Sequence, residues 1–149
     1  DDMTEQKPEL PRPLPQIDRD HEDWWAGLRR HELLVQECPR CAKRVFPPQS
    51  LCPHCHSPER GWHKLSMRGK VYSWVTVRRA SHPWFADKVP YCVVLVEMEE
   101  GFRFVGGIDC PPEALREGLP VEVGFEDVNS EVTLLRFRVA QNSSVKSAP

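Results

Sequence analysis

Three observations predict a mainly β protein. From Gly69 onward the chain alternates or repeats β-branched and aromatic residues in five short runs separated by glycine, proline and asparagine. Upstream, four cysteines stand in two C-x-x-C pairs, Cys38/Cys41 and Cys52/Cys55, the spacing of a metal-stapled ribbon. Proline makes up 15 of 149 residues, about twice its usual share, which leaves little room for long helices. The expected order is one short helix, a ribbon and a small barrel.

Composition narrows the function classes. With 20 basic against 22 acidic residues the chain has no positive excess to drive indiscriminate nucleic-acid or membrane-surface binding. It contains no run of 18 apolar residues and no basic-apolar leader, so neither a membrane span nor secretion is expected. Tight thiol pairs favour metal in a reducing compartment, and a cytoplasmic location is expected. Charge is segmented: residues 1–32 carry net −4, 33–68 net +4 and 69–149 net −2.

Residues 1–17, with four prolines and little to bury, read as a flexible extended arm. Residues 18–32 read as a docking helix: Asp18 or Asp20 caps it, acids fill its first turn, and Arg29 and Arg30 suit its last. Trp24, Trp25 and Leu28 form its apolar stripe. So short a helix needs a surface to dock on, either its own domain or a partner protein. Residues 33–68 form the ribbon, with strands at 33–37 and 62–65 bracketing the cysteines.

The barrel is assigned to residues 69–140, with strands in 69–79, 90–99, 102–110, 119–128 and 132–140. In the first, Val71, Ser73, Val75 and Val77 are expected on one face and Tyr72, Trp74 and Thr76 on the other. Gly101, Gly106–Gly107, Gly118 and Asn129 are expected at bends, and 109–118 supplies a turn or two of helix. Five strands with one helical insertion in so short a span is the arithmetic of an OB-type barrel. Residues 141–149 read as a flexible tail.

Four thiolates at Cys38, Cys41, Cys52 and Cys55 make a closed tetrahedral sulfur shell. Zinc suits it, and iron is the chemical alternative in the same shell. Arg40, Lys43 and Arg44 offset the negative charge. No ligand position is left open, so the metal is structural. His54 and His56 beside the last ligand are not expected to bind. Cys92 and Cys110 read as small buried groups, with a disulfide between them possible but disfavoured in a reducing compartment.

No phosphate loop, nucleophile elbow or dinucleotide fingerprint is present, and no catalytic residue is assigned. The best remaining constellation is Arg78, Arg79, Ser81, His82, Trp84, Phe85, Lys88 and Tyr91, expected at one barrel rim. Its cations and aromatic faces suit a nucleotide-like group with phosphates or a partner-binding edge. Nucleic acid is the third option, since Tyr72 and Trp74 stand near Arg78 and Arg79.

These residues resemble a known family. Trp25 and Leu28, the two cysteine pairs enclosing Phe46, Pro47 and Pro48, and Pro53 carry the resemblance in the first half. Gly69 to Ser73, the Ser81–Pro83 run with Phe85, Pro90–Tyr91, Glu100–Gly101 with Arg103, Gly118, Pro120, Val121, Val123 and Leu134, Arg136, Phe137 continue it. The chain is similar to OB-fold proteins with an N-terminal rubredoxin-like zinc ribbon, formerly a domain of unknown function, that partner thiolase-like enzymes. Two departures are local: Ala42 stands where a glycine commonly follows the second cysteine, and Ser66–Met67 replaces a serine–glycine pair.

The resemblance implies a noncatalytic accessory subunit seated against a thiolase-like enzyme or a lipid-transfer-protein-type aldolase that acts on acyl-CoA esters. In some relatives the domain lies behind a hot-dog-fold hydratase of steroid side-chain breakdown, where it implies retro-aldol cleavage of a β-hydroxyacyl-CoA on the partner. The chain would then be part of such a fusion, with its arm as linker. On this reading Trp24, Trp25, Leu28, Trp84 and Phe85 touch the partner, and Arg78, Arg79, His82 and Lys88 form a rim for CoA phosphates. A stand-alone acyl-CoA carrier is the alternative.

Overall fold

The computed structural model describes residues 11–140; the remainder of the expected arm (1–10) and the expected tail (141–149) lie outside the described residues. Residues 11–18 carry no regular secondary structure. A 3-10 turn at Arg19–His21 leads into the helix α1 (Glu22–Arg29). Asp18 caps the turn, its Oδ1 accepting the His21 amide at 2.9 Å. The helix ends as His31 takes a left-handed conformation (φ 60°).

Three short strands form the ribbon: β1 (Leu34–Glu37), β2 (Arg44–Val45) and β3 (Gly61–Lys64), in the antiparallel order β2-β1-β3. Strands β1 and β3 occupy the expected positions, and β2 is an addition between the cysteine pairs. Gly27 lets α1 lie against this sheet, because a Cβ there would come within 2.7 Å of the Leu34 side chain.

The barrel strands are β4 (Arg68–Val77), β5 (Tyr91–Met98), β6 (Arg103–Ile108), β7 (Pro120–Asp127) and β8 (Thr133–Val139). They close in the order β4-β5-β6-β8-β7, with β7 pairing back onto β4 and β6 running parallel to β8. This is the five-stranded OB closure that the strand count predicts. The insertion forms a single 3-10 turn, Pro112–Ala114, and Leu115 and Leu119 beside it are buried.

Inside the barrel lie Val71, Val94, Val96, Met98, Phe104, Ile108, Val121, Val123 and Phe137, continuous with Leu28, Leu33, Val35 and Leu65 from the helix and ribbon. Ribbon and barrel therefore share one core. Phe46 joins them, its ring 4.6 Å from Phe104 on one side and 5.8 Å from Trp24 on the other.

Two expectations are corrected. The alternation in β4 does not run through: a bulge between Val71 and Ser73 slips the phase by one residue. Val71 pairs with buried Val96, but beyond the bulge Trp74 and Thr76 oppose buried Val94 and Cys92, while Val75 pairs with outward Val93. Val75 is consequently 59% exposed. Second, Gly106 and Gly107 lie within β6 rather than at a bend. A Cβ on Gly106 would meet Phe137 at 2.9 Å, so glycine admits that ring. Gly101 and Gly118 do sit in turns, at φ 93° and 83°.

Candidate metal centre and barrel rim

The two C-x-x-C segments fold into matched knuckles. In the first, the Ala42 amide donates to the Cys38 carbonyl (2.8 Å) and the Cys38 amide to the Lys43 carbonyl (3.0 Å). In the second, the His56 amide donates to Cys52 (2.8 Å) and the Cys52 amide to Ser57 (2.9 Å). Each knuckle turns back through a left-handed residue, Ala42 and His56, both at φ 62°. Thus His56 serves as a turn residue.

All four sulfurs lie within 4.8 Å of one another. Cys38 and Cys55 are 3.6 Å apart and Cys41 and Cys52 3.7 Å. A tetrahedron with metal–sulfur bonds of about 2.3 Å has edges of about 3.8 Å, so the residues fit a zinc-sized ion, whereas a disulfide would need about 2.05 Å. The thiols sit in unlike surroundings. Amide donation from Cys55 and His54 holds the Cys52 thiol down to about 6. The Ser57 amide favours the Cys55 thiolate too, but burial and the neighbouring sulfurs push its thiol up to about 11. Four thiolates so close need a cation to ionise together.

Sequence reasoning missed Gln36, a buried amide on β1. Its Nε2 donates to the Gln49 carbonyl (2.9 Å) and its Oε1 accepts the Gln49 amide (2.7 Å), which pins the loop between the knuckles. Nothing in the local pattern marks it except a polar residue inside an apolar strand. Ser66, the local departure, is held by Glu100: its amide and hydroxyl donate to that carboxylate at 2.6 and 2.9 Å.

At the barrel end the rim residues separate into two groups. Trp84, Phe85, Lys88 and Tyr91 line a groove of about 780 Å³ with Phe125, Glu126 and Arg136. Trp84 and Phe85 meet edge to face at 4.9 Å, Phe85 and Tyr91 lie 5.6 Å apart, and the Lys88 ammonium sits 3.6 Å from the Trp84 ring centroid. Arg78, Arg79 and Ser81 are exposed and do not line that groove. His82 caps the 3-10 turn Pro83–Phe85, its Nδ1 accepting the Trp84 amide at 3.1 Å, so its ring orients Trp84.

Arg12, from the expected arm, also lies in the groove. Its guanidinium donates to both carboxylate oxygens of Glu126 (2.8 and 3.2 Å) and sits 4.5 Å from the Trp84 ring centroid. That contact holds the Glu126 carboxyl below its ordinary value.

The docking stripe is corrected in part. Leu28 is 0% exposed and belongs to this chain's own core, so it does not face a partner. Trp24 and Trp25 are half-buried, in edge contact at 4.8 Å, and pack against the same core. An apolar face that sequence reasoning did not find lies outside the barrel instead. Val75 pairs with Val93 and Leu95 with Val105 across β4, β5 and β6, and Val105 is 63% exposed. Cys92 and Cys110 are free thiols, and burial raises that of Cys110. Among the described residues, no helix is long and apolar enough to cross a membrane.

Residues 25–59 match the family model of the rubredoxin-like zinc ribbon domain of ChsH2, and residues 62–126 that of its C-terminal OB-fold domain. The chain is 36% identical over 140 residues to a probable enoyl-CoA hydratase alpha subunit of Thermomonospora curvata, covering 93% of this chain but 43% of that subunit. It thus spans less than half of that relative's length. It is 36% identical to a DUF35 domain-containing scaffold protein of Methanocaldococcus jannaschii, over 72% of this chain and 77% of the relative. A chain of the solved Ltp2-ChsH2(DUF35) aldolase superposes with TM-score 0.77 at 33% identity, over 85% of this chain and 98% of the other.

Proposed function

We propose that this chain, which belongs to the DUF35 family of ChsH2-type zinc-ribbon and OB-fold proteins, works as a noncatalytic accessory subunit of an acyl-CoA-processing enzyme. The partner is a lipid-transfer-protein-type aldolase or another thiolase-like enzyme. The reaction supported is retro-aldol cleavage of a β-hydroxyacyl-CoA in steroid side-chain breakdown. There the bond between the α and β carbons breaks, the β-hydroxyl gives up its proton to become a carbonyl, and the α carbon is reprotonated on the partner. The observation that carries the reading is the likeness to a chain of an aldolase assembly over 98% of that chain's length.

The surface chemistry supports it. Isolated exposed hydrophobics are ordinary, but paired rows of them on a sheet face mark a contact. The Val75–Val93 and Leu95–Val105 rows would bury against the partner, alongside whatever edges Trp24, Trp25, Trp84 and Phe85 leave accessible. Zinc in the Cys38/Cys41/Cys52/Cys55 shell keeps the ribbon folded and supplies no open coordination position. Lys88, with Arg78 and Arg79 nearby in sequence, would meet the CoA phosphates of substrate bound in the complex. The hot-dog-fold hydratase belongs to the same proposal, as the neighbour of this chain in a longer protein, and so does a cytoplasmic setting.

Co-expression with a lipid-transfer-type aldolase tests the reading. A stoichiometric complex that cleaves a β-hydroxyacyl-CoA, and that Val105→Glu disrupts without loss of metal, supports it. No association with any thiolase-like enzyme, together with saturable CoA binding by the chain alone, supports the carrier reading and overturns this one.

A further inference from the structure

The groove beside Trp84 has two chemistries side by side. One wall is aromatic, from Trp84, Phe85, Tyr91 and Phe125, and the other end presents the Glu126 carboxylate. Arg12, which reaches into it, stands in the run Pro11-Arg12-Pro13-Leu14-Pro15, and Pro8 precedes that run in the sequence. Proline rings confine such a stretch to extended backbone, which loses little entropy on docking, and aromatic grooves are the usual receptor for it. Arginine on such a segment gives it direction when a carboxylate receives both guanidinium nitrogens. Arg12 meets both requirements: two nitrogens on the two oxygens of Glu126 and its guanidinium against Trp84.

We infer that the barrel carries a recognition groove for arginine-bearing, proline-rich segments, and that its occupant is this chain's own Pro11–Pro15 segment, clamped in cis by Arg12. The clamp joins residues 114 positions apart in sequence. It therefore ties Arg12 to the β7 end of the barrel. It also places the Arg12 guanidinium against the same Trp84 ring that Lys88 meets, so another ligand reaches that ring when Arg12 lifts. The alternative, a nonspecific resting place for a charged arm, would need neither the bidentate geometry nor the aromatic contact. A single half-buried ion pair is weak, and its combination with the indole, on a backbone that the flanking prolines hold extended, makes the site selective.

The test uses the zinc-loaded full chain, with the Trp84 indole followed by NMR after substitution-based assignment among the five tryptophans. Arg12→Ala and Glu126→Gln are each expected to move the Trp84 signal in the same direction while metal content and the other tryptophan signals hold. A synthetic peptide of residues 5–17 should then bind the Arg12→Ala chain at about millimolar concentration, the range of a short tether's effective concentration, and return the Trp84 signal toward its wild-type position. The intact chain should take up the same peptide roughly two-fold less readily, because its own segment competes at an effective concentration close to the peptide's dissociation constant. A peptide with alanine in place of arginine should lose most of its binding. A Trp84 signal indifferent to both substitutions, equal binding by intact and variant chains, or no binding by the variant at about 5 mM peptide would each overturn the inference.

Discussion

Replacing Ala42 with glycine should strengthen the metal centre. Ala42 closes the first knuckle at φ 62°, a conformation that brings a Cβ close to the following carbonyl and costs an L-residue about 1–2 kcal/mol. Glycine removes that cost but loses roughly 0.5–1 kcal/mol through the larger freedom of the unfolded chain. The difference favours the variant by about 0.5–1 kcal/mol. Since the ribbon's small core folds around its ligands, that gain should appear as tighter binding, roughly two- to five-fold, in competition against a zinc chelator. His56 occupies the equivalent place in the second knuckle at the same φ, so His56→Gly should give a gain of the same sign. Ala42→Val should move affinity the other way, because a β-branched side chain suits positive φ worst. Zinc binding by Ala42→Gly no tighter than the parent's, or valine tolerated as well as glycine, would show that the left-handed turn does not limit affinity.

Four further outcomes are expected. Cys52→Ser removes one sulfur from the shell, and with it a large part of the about 10–16 kcal/mol that structural zinc contributes to folding; metal analysis should find no bound zinc, and the ribbon amides should lose hydrogen-exchange protection. Gly106→Ala forces a Cβ to within 2.9 Å of the Phe137 ring and 3.0 Å of the Leu135 carbonyl, which should cost about 1–2 kcal/mol net in urea unfolding after the gain in chain stiffness is subtracted. Val105→Glu, on an exposed position of the outer face, should change stability by less than about 0.5 kcal/mol while weakening a partner complex at least ten-fold in a pull-down titration. Because Arg12 holds the Glu126 carboxyl below its ordinary value of 4.5, the contact's contribution is complete above that pH and fades as acid protonates Glu126. It is under about 1 kcal/mol for a half-buried pair that water still reaches, and Arg12→Ala should flatten that part of the stability profile between about pH 5 and 3.

The metal shell was legible because its information is local: two C-x-x-C pairs specify both the donors and the knuckles that aim them. The barrel was legible from strand count and turn residues, since a small β chain has few ways to bury five apolar runs. Tertiary facts were harder. Leu28 and the tryptophans form one stripe on a helical wheel, but whether the stripe meets its own core or a stranger depends on the Phe46–Phe104 contact across the ribbon–barrel boundary. Arg78 and Arg79 adjoin the rim in sequence yet leave the groove to residues from β6, β7 and β8, elements that no local pattern ties to them. Arg12 was hidden for the same reason: its partner Glu126 lies on a distant strand.

The bulge at Tyr72 shows how one unpaired residue places an apolar side chain on the outer face. With strict alternation, Val71, Val75 and Val77 would all point inward and the outer surface of β4 would show Tyr72, Trp74 and Thr76. The slipped register keeps Val71 inside, turns Trp74 and Thr76 toward the buried row and sends Val75 out beside Val93. Exposing valine to water has no folding benefit, as each buried methylene would contribute about 0.8 kcal/mol. Stability alone therefore does not account for the apolar rows on β4 to β6, whereas a partner that covers them does. Deleting Tyr72 removes the extra residue, so Val71 and Ser73 become neighbours on opposite faces and the Ser73–Leu95, Trp74–Val94 and Val75–Val93 pairs are kept. The deletion variant should therefore keep Val75 outward and keep partner binding wherever circular dichroism shows a folded barrel, whereas Val75→Glu should weaken binding. If Val75→Glu binds the partner as well as the parent does, the outer rows are not the contact.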